Sequence, residues 1–275
     1  MAPATGRDSS RGGWAVVTGA SSGIGLAFAR ELARRGHRVL AVARRRDRLE
    51  ASAREAAEQG GSMGSIVPLV ADLQTGEGLG VVVERMVGLG TIDLLVNNAG
   101  IATFGDFQHS SLELEIGAIR LNVHAVVTLT HAVLGEMLKR RRGAIINLAS
   151  VVAFQPFPHF AVYAASKAFV LSFSEALAEE LKDSGVRILA VCPGAAKTEM
   201  TVFSHNEGLL GKLPSLSTDE IVRSALHALE SRRVVRIVGW VNGTMVFLNR
   251  FLPRAMVRWM MGVSTKLPLR PSALR

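Results

Sequence analysis

Cysteine and tyrosine are nearly absent from this chain of 275 residues, which contains one of each. A single cysteine, Cys192, cannot form an internal disulfide, and this suits a reducing compartment such as the cytoplasm. Cys192 ends an apolar run before Pro193, so a buried strand-end residue is a better interpretation than a nucleophile or a metal ligand. We expect a cytoplasmic protein without a metal site.

Long uncharged apolar runs are also missing. No such stretch reaches about 18 residues, which argues against a transmembrane helix. Residues 1–13 lack the apolar segment of a secretory signal, and their composition indicates a disordered lead-in. Because 48% of the residues are hydrophobic and 20% are charged, the chain suits one large core, and we expect one globular domain over residues 14–240.

Acidic side chains are absent from the last 44 residues, which hold nine of the 32 basic residues. The preceding residues hold 23 of each sign, so the whole net charge of +9 lies in this tail. Two apolar segments, 245–252 and 255–261, are accompanied by arginines spaced by four: Arg250, Arg254 and Arg258. The pattern predicts one or two amphipathic helices with a basic stripe.

This C-terminal extension, residues 241–275, has two interpretations. Its helices can pack on the body of the protein and close a substrate pocket or a subunit interface. Alternatively, they contact an anionic membrane surface, where each basic residue contributes about 1 kcal/mol to binding. Nucleic-acid binding is a weaker alternative, because no recognisable module is present.

Strand-like and helix-like segments alternate along the rest of the chain. Strands are predicted at residues 14–17, 37–43, 66–70, 92–96, 144–149, 186–191 and 234–240, and helices at 26–35, 48–59, 78–89, 112–139, 162–181 and 218–231. This alternation predicts an α/β fold with a doubly wound parallel sheet of about seven strands. Ligands of such sheets bind at the carboxyl edge.

A glycine-rich turn, T-G-A-S-S-G-I-G, follows the first strand from Thr18 to Gly25. A strand, a glycine turn and a helix in succession bind phosphate, because the glycines allow close backbone approach and the helix offers free N–H groups. The G-x-x-x-G-x-G spacing differs from the G-x-G-x-x-G of the standard dinucleotide fingerprint. A turn without a ligand is the alternative that this placement disfavours.

Arginines follow the second strand, where an NAD-binding chain would place an acid to hold the ribose hydroxyls. An arginine at this place can hold a 2′-phosphate with a fork of donors. We therefore predict NADP(H) as the cofactor, with Arg44 and Arg45 at the phosphate. Arg46 and Arg48 are expected to be solvated residues at the start of a helix.

The only tyrosine, Tyr163, precedes Lys167 by four residues in a predicted helix, so both side chains share one face. A nearby ammonium favours the phenolate and is expected to bring the pKa of Tyr163 towards neutral, where acid–base catalysis is efficient. Ser150 follows a predicted strand, and the loop at Pro156 can return its hydroxyl to the same reacting oxygen. A Tyr-x-x-x-Lys pair alone is more often structural.

With these motifs in order, the chain resembles the short-chain dehydrogenase/reductase family from Trp14 to Trp240. The resemblance implies a Rossmann-like fold and a catalytic tetrad of Asn122, Ser150, Tyr163 and Lys167. It also implies that the cofactor contacts Gly19, Ser21, Ser22, Gly23, Ile24, Gly25, Arg44, Arg45, Asp72, Leu73, Asn98, Ala99, Gly100, Tyr163, Lys167, Pro193, Gly194 and Thr198. The sequence departs from the family pattern at residues 195–197, just before Thr198.

The family's chemistry implies hydride exchange between the nicotinamide and a carbonyl carbon. Tyr163 would then give a proton to the carbonyl oxygen, and Ser150 would hydrogen-bond it. Lys167 would lower the tyrosine pKa and hold the nicotinamide ribose. Asn122 would position a water that supplies protons to Lys167.

Apolar residues in two segments suggest a hydrophobic carbonyl substrate, such as a fatty-acyl, steroid or aromatic ketone. The first segment, 199–217, has the composition of a mobile lid and contains Met200, Val202, Phe203, Leu209, Leu210 and Leu213. The second, near the catalytic strand, contains Phe154, Phe157 and Phe160. The family also implies a homodimer or homotetramer.

Two other functions are compatible with the same fold. The first is a non-catalytic NADP(H)-binding regulator, which we would expect to have lost Tyr163 or Lys167. The second is a membrane-associated scaffold, which would bind lipid and be inert. Because all four tetrad residues are present, the sequence favours an enzyme.

Overall fold

Seven strands form the centre of the part of the molecule that the structure describes. A computed structural model describes residues 13–58, 64–199 and 215–265. The strands are β1 (Trp14–Thr18), β2 (Arg38–Ala43), β3 (Ile66–Val70), β4 (Ile92–Asn97), β5 (Gly143–Leu148), β6 (Val186–Pro193) and β7 (Val235–Val238). They form one parallel sheet in the order β3-β2-β1-β4-β5-β6-β7. The predicted Rossmann-like α/β fold is confirmed.

Helices cover both faces of this sheet. They are α1 (Gly23–Arg34), α2 (Arg46–Glu58), α3 (Gly76–Gly88), α4 (Leu112–Ile119), α5 (Ala125–Lys139), α6 (Ala161–Glu180), α7 (Thr218–Glu230), α8 (Trp240–Asn249) and α9 (Arg254–Ser264). Side chains of α1, α2 and α7 pack on one face, and those of α3 and α5 on the other. The central strands therefore consist of continuous apolar runs, as in parallel sheets buried on both faces.

The direction of strand order reverses between β1 and β4. The chain runs outward from β1 through β2 to β3, then returns to pair β4 with the other side of β1. Helices that follow these strands leave in opposite directions, which opens a crevice at the carboxyl edge. Helix α1 begins at Gly23, three residues before the predicted start at Leu26, so the end of the glycine turn forms its first turn.

The region predicted as one helix, Leu112–Lys139, contains a π-helical turn. Helix α4 ends at Ile119, the π turn spans Arg120–His124, and α5 follows at once. By length and mean hydropathy of 1.3 the region could cross a membrane, but half of its apolar window is buried inside the fold. That burial is typical of the core helix of a soluble domain, so the region is weak evidence for a membrane span.

Helices α8 and α9 confirm the amphipathic helices predicted for the described part of the C-terminal extension. Val257 and Met261 of α9 are buried in a cluster with Phe157, Phe160 and Tyr163. The extension thus packs beside the predicted catalytic helix. The domain division at residue 240 stays a prediction, and the predicted disordered lead-in, the apolar residues of the predicted lid and the last ten residues lie outside the described residues.

Candidate active site

A cleft of about 910 Å³ lies at the carboxyl edge of the sheet. It brings together all but two of the residues predicted for the site: Gly19, Ser21, Ser22, Gly23, Ile24, Arg44, Arg45, Asp72, Leu73, Asn98, Ala99, Gly100, Ser150, Tyr163, Lys167, Pro193, Gly194 and Thr198. The exceptions, Gly25 and Asn122, lie behind the cleft wall. Arginines line one end of the cleft and the tyrosine and lysine the other, a spread that suits a dinucleotide.

The glycine turn is packed so closely against the end of β4 that larger residues do not fit. Gly19 has a φ of +67°, and a Cβ there would lie 2.7 Å from Nδ2 of Asn98. A Cβ on Gly25 would lie 2.3 Å from the carbonyl oxygen of Gly19, which explains why Gly25 is needed although it does not line the cleft. Asn98 in turn donates to the carbonyl oxygen of Thr18 at 2.9 Å.

The N-terminus of α1 has the donors that an anionic cofactor requires. Its N-cap, Ser22, makes no side-chain capping hydrogen bond, and the first turn has no acidic residue. The first N–H groups of a helix have no partner within the helix, and the helix dipole places positive charge there. These residues fit the pyrophosphate of a dinucleotide.

Arg45 lies over the glycine turn. Its Nη2 donates to the hydroxyls of Ser21 at 3.0 Å and Ser22 at 2.6 Å. Its Nη1 donates to Oε2 of Glu199 at 2.7 Å. Arg48, which we expected to be merely solvated, donates to the other oxygen of Glu199.

Arg44 has a looser position than Arg45. Its Nη1 lies 3.7 Å from a carboxylate oxygen of Asp72, across the end of the cleft. Both arginines predicted for the phosphate therefore line the cleft, but only Arg45 contacts the glycine turn. Sequence reasoning missed Glu199 and rejected Arg48. The only available signal was the three-residue spacing of Arg45 and Arg48, which can place two side chains on one side of a helix start.

Ser150, Tyr163 and Lys167 meet at the other end of the cleft, and each side chain is buried, with only 6% of each residue exposed. Tyr163 is hydrogen-bonded to Ser150. The Lys167 Nζ donates to the carbonyl oxygen of Leu148 at 2.7 Å and lies 5.9 Å from the centre of the Tyr163 ring. The end of β5 and one face of α6 thus converge as predicted.

The predicted direction of the tyrosine pKa is wrong for this structure. Burial raises the pKa of Tyr163 to about 12, although the hydrogen bond with Ser150 acts to lower it. Burial also lowers the pKa of Lys167 to about 8. Desolvation disfavours the charged form of each group, so Tyr163 is a neutral phenol at pH 7.

Asn122 lies in the π turn and is almost completely buried, with 1% of its surface exposed. Its Oδ1 accepts from the N–H of Ile101 at 3.0 Å, and its Nδ2 donates to the Ile101 carbonyl oxygen at 2.9 Å and to Oγ of Ser166 at 3.0 Å. A Cβ on Gly100 would lie 3.1 Å from Oδ1 of Asn122 and 3.4 Å from Nζ of Lys167. Asn122 therefore fixes the backbone next to Lys167.

A second, smaller pocket continues from Ser150 towards the C-terminal helices. It is mostly apolar and is lined by Ser150, Val151, Val152, Gln155, Phe157, Gly194, Ala195, Asn242, Met245, Val246, Asn249 and Met261. Nδ2 of Asn249 donates to Oε1 of Gln155 at 3.2 Å, joining α8 to the loop after β5. Sequence reasoning allowed for such packing without naming these residues.

Cys192 lies at the end of β6 and is completely buried. Burial raises the pKa of its thiol to about 12, so the thiol stays protonated and unreactive. The interpretation of Cys192 as a buried strand-end residue is confirmed.

Known proteins share both sequence and structure with this chain. The family model described as short chain dehydrogenase matches residues 13–207. A 17-beta-hydroxysteroid dehydrogenase type 3 of Danio rerio is 35% identical over 256 residues, which cover 88% of this chain and 82% of that protein. A very-long-chain 3-oxoacyl-CoA reductase of Anas platyrhynchos is 37% identical over 199 residues, which cover 70% and 62%.

A solved structure extends the likeness to the whole fold. It is a short-chain dehydrogenase from Sphingobium yanoikuyae in complex with NADPH, 34% identical, with a TM-score of 0.76 over 88% of this chain and 97% of the other. The cleft, the arrangement of Ser150, Tyr163 and Lys167, and these similarities lead to one conclusion. The chain belongs to the short-chain dehydrogenase family.

Proposed function

We propose that this protein is an NADP(H)-dependent oxidoreductase that interconverts a hydrophobic carbonyl compound and its secondary alcohol. The observation that carries the proposal is the hydrogen-bonded pair of Ser150 and Tyr163 beside Lys167, buried in one cleft with an arginine-lined end. The names of the relatives, a hydroxysteroid dehydrogenase and a 3-oxoacyl-CoA reductase, support the reaction class. The NADPH complex of a structural relative supports the cofactor.

NADP(H) would fit along the cleft, from the arginines to Lys167. The N–H groups of α1 and the hydroxyls of Ser21 and Ser22 would hold its pyrophosphate and adenosine ribose, and Arg44 and Arg45 would hold its 2′-phosphate. Asp72 and Leu73 would lie at the adenine, Asn98 to Gly100 along the sheet edge, and Pro193, Gly194 and Thr198 at the nicotinamide. Bound NADPH supplies the hydride.

Tyr163 supplies the proton. Its pKa of about 12 keeps the phenol protonated at pH 7, which is the form required to donate to a carbonyl oxygen during reduction. The alkoxide that forms is a far stronger base than the phenolate, so the transfer is favourable. Ser150 hydrogen-bonds the same oxygen and stabilises the developing charge, a contribution of about 3 kcal/mol by comparison with other oxyanion donors.

Lys167 stabilises the phenolate that this transfer leaves behind. With a pKa of about 8 it carries its proton at neutral pH, and an ammonium near a phenolate favours the charged form. Asn122 positions a water that returns protons to Lys167. Oδ1 of Asn122 and Nζ of Lys167 both lie within 3.4 Å of the point that a Cβ on Gly100 would occupy. Their closeness to each other supports this role.

The substrate is an apolar carbonyl compound such as a steroid or a fatty-acyl chain. The smaller pocket, of about 50 Å³, supports the apolar character of the substrate next to Ser150, because it is lined chiefly by Val151, Val152, Phe157, Met245, Val246 and Met261. A regulator without activity is less well supported, since it would not require the buried Ser150–Tyr163 contact. A relic scaffold is less well supported for the same reason.

The test is Tyr163→Phe, which removes the proton donor and keeps the ring. Turnover of NADPH with a panel of steroid, fatty-acyl and aromatic ketones should fall by roughly 10²–10⁴-fold, the usual contribution of a general acid. NADPH affinity, measured by fluorescence titration, should change by less than about threefold. The assignment is wrong if the variant retains more than about a tenth of the activity, because general-acid catalysis contributes at least about 10²-fold.

Ser174→Ala is the matched control. It removes a buried hydroxyl from the same helix α6. Oγ of Ser174 accepts from Nδ2 of Asn147 and donates to the carbonyl oxygen of Val170, and Ser174 does not line the cleft. Activity should be retained in this variant, so a general loss of stability in α6 can be told apart from the loss of the phenol.

The protein also contacts an anionic membrane surface through α8 and α9. Helices α8 and α9 and the link between them expose large apolar residues, including Trp240 (84%), Phe251 (71%) and Trp259 (69%). Exposed arginines accompany them: Arg250, Arg254 and Arg258. Exposed aromatic residues together with basic residues are typical of helices that lie at a membrane interface, and Met245, Val246, Asn249 and Met261 of the same helices line the smaller pocket. A lipid-like substrate could thus pass directly from the membrane.

The protein forms a homodimer or homotetramer through α4 and α6, which contact each other. Helix α4 exposes Leu112, Leu114, Ile116 and Ile119, and the neighbouring α6 exposes Phe169. Acidic Glu113 and basic Arg120 lie at opposite ends of the exposed α4 face. A second copy related by a two-fold axis would pair these charges and cover the apolar residues.

A further inference from the structure

Glu199 occupies the arginine end of the cleft. Each of its two carboxylate oxygens accepts a hydrogen bond from a different guanidinium, Oε2 from Arg45 at 2.7 Å and Oε1 from Arg48. Arg45 directs its other nitrogens to Ser21 and Ser22. Arg45 and Arg48 are thus both already paired with a carboxylate of the protein itself.

The backbone holds Glu199 in this position. Ala196 pairs with Leu216 in a short parallel bridge, where Lys197 donates to the Leu216 carbonyl oxygen at 3.0 Å. The methyl group of Thr198 lies 3.0 Å from the position of a Cβ on Gly23, so this segment packs on the glycine turn. Glu199 is thus anchored at the mouth of the cleft, close to the residues that fit a cofactor.

The carboxylate is ionised under all physiological conditions. Hydrogen bonds from Arg48 and Arg45 lower the pKa of Glu199 to about 2. It therefore resembles a 2′-phosphate in charge sign and in its bidentate geometry with guanidinium groups. Two anions at one pair of arginines repel each other, so both cannot be held there favourably.

We propose that Glu199 competes with the 2′-phosphate of NADP(H) for Arg45 and Arg48, and that the cofactor binds by displacing this carboxylate. Arg48 then becomes a third phosphate-binding residue beside Arg44 and Arg45. The inference rests on the proposed NADP(H) function and deepens it. It makes Glu199 a residue that weakens NADP(H) binding while leaving NAD(H) binding unaffected.

The test is Glu199→Gln, studied by calorimetric titration with 2′,5′-ADP and with 5′-ADP as probes. Removing an exposed pair of ionic contacts should raise affinity for 2′,5′-ADP by about two- to tenfold. Affinity for 5′-ADP should stay the same, because that probe lacks the 2′-phosphate. Arg48→Gln should lower affinity for 2′,5′-ADP alone.

Glu50→Gln is the matched control. Glu50 pairs with Arg46 at 3.5 Å on helix α2, which also carries Arg48. The change in net charge is therefore identical, but Arg45 and Arg48 are left unchanged. Equal gains in Glu199→Gln and Glu50→Gln would overturn the proposal by showing a general charge effect. Weaker binding of 2′,5′-ADP by Glu199→Gln would overturn it too, since the carboxylate would then be organising the arginines.

The wild-type protein separates this inference from the proposed function. If it binds 2′,5′-ADP no better than 5′-ADP, the assignment of a 2′-phosphate site fails, and the competition fails with it. If it prefers 2′,5′-ADP but Glu199→Gln leaves both affinities unchanged, the competition alone is wrong.

Discussion

Burial acts in opposite directions on the two ionisable groups of the candidate tetrad. It raises the pKa of the Tyr163 phenol to about 12 and lowers the pKa of the Lys167 ammonium to about 8. The lysine is therefore the group that changes charge near neutral pH. Burying the charged ammonium of Lys167 lowers the stability of the folded state, and its hydrogen bond to the carbonyl oxygen of Leu148 offsets part of that loss.

This cost predicts how the stability of the protein depends on pH. Below pH 8 Lys167 is protonated in both the folded and unfolded states, and the full penalty is present. Between pH 8 and 10 the unfolded chain holds more protons, because its lysine pKa is 10.5, so the free energy of unfolding should rise with pH. Above pH 10 the unfolded Tyr163 ionises while the folded one does not, which reverses the trend.

Lys167→Met isolates the contribution of the lysine. Urea unfolding between pH 7 and 10 should show a free energy of unfolding that rises with pH in the wild type but not in the variant. The rise should be at most about 3 kcal/mol over this pH range. A parallel pH dependence in the two proteins would show that Lys167 is not the group responsible. Lys182→Met, on the exposed end of the same region, is the control and should follow the wild type.

The π turn between α4 and α5 shows what an apolar pattern leaves open. Residues 112–139 were correctly predicted as helical, yet one extra residue in a single turn is not visible in a periodicity averaged over the whole region. That turn carries Asn122, which pairs with both backbone groups of Ile101. π-helical turns are frequent at functional sites, and here the turn joins the helix to the loop after β4.

Helices α8 and α9 have two different faces, so the two interpretations of the extension are compatible. The inner face contributes Val246, Val257 and Met261 to the interior. The outer face exposes aromatic residues and arginines, and membrane contact through it is a proposal. Pro253 separates the two helices as predicted, because it has no N–H to continue α8.

Binding to vesicles tests the outer face. Neutralising its three arginines together, Arg250, Arg254 and Arg258 to Gln, should weaken binding to vesicles rich in phosphatidylserine by roughly 100-fold, at about 1 kcal/mol for each residue. Binding should also fall as salt rises. Truncation of residues 241–275 is less informative because it would expose the interior of the pocket.

A control triple variant changes the same charge elsewhere. It replaces three exposed arginines of the other helices with Gln: Arg54, Arg85 and Arg223. This variant should bind the vesicles like the wild type. Equal weakening in both triple variants would mean that overall charge, and not the α8–α9 face, drives any binding.

The whole molecule presents a second apolar surface, on α4 and α6, and sedimentation equilibrium tests its role. The wild type should sediment as a dimer or tetramer at micromolar concentration. Leu112→Lys combined with Phe169→Lys should shift it towards the monomer, because two charges would be buried without partners. Val87→Lys, at a residue of α3 exposed to the same 71% as Leu112, should leave the assembly unchanged. A wild-type monomer would contradict the proposal.

Local patterns were sufficient to predict the parallel sheet, a ligand site at its carboxyl edge, and the glycine turn, the arginines and the Tyr163–Lys167 pair within that site. The rest of the lining was predicted only by the resemblance to the short-chain dehydrogenase/reductase family. Strand periodicity, the glycine turn and the spacing of Tyr163 and Lys167 each depend on residues close together in the chain, and the chain direction in a parallel sheet then brings them to one edge. Ser150 could be placed because it directly follows the predicted strand 144–149, which in the structure ends as β5 at Leu148.

Contacts between distant segments could only come from folding. Arg45 and Glu199 are 154 residues apart, and nothing local to either predicts their ion pair. The pKa of Tyr163 depends on how completely several elements exclude water from it, so a rule based on its lysine neighbour predicted the wrong direction. The inner face of α8 and α9 could not be predicted for the same reason. Which apolar side of a helix is buried depends on the surface that it meets, and here that surface is formed by the loop after β5.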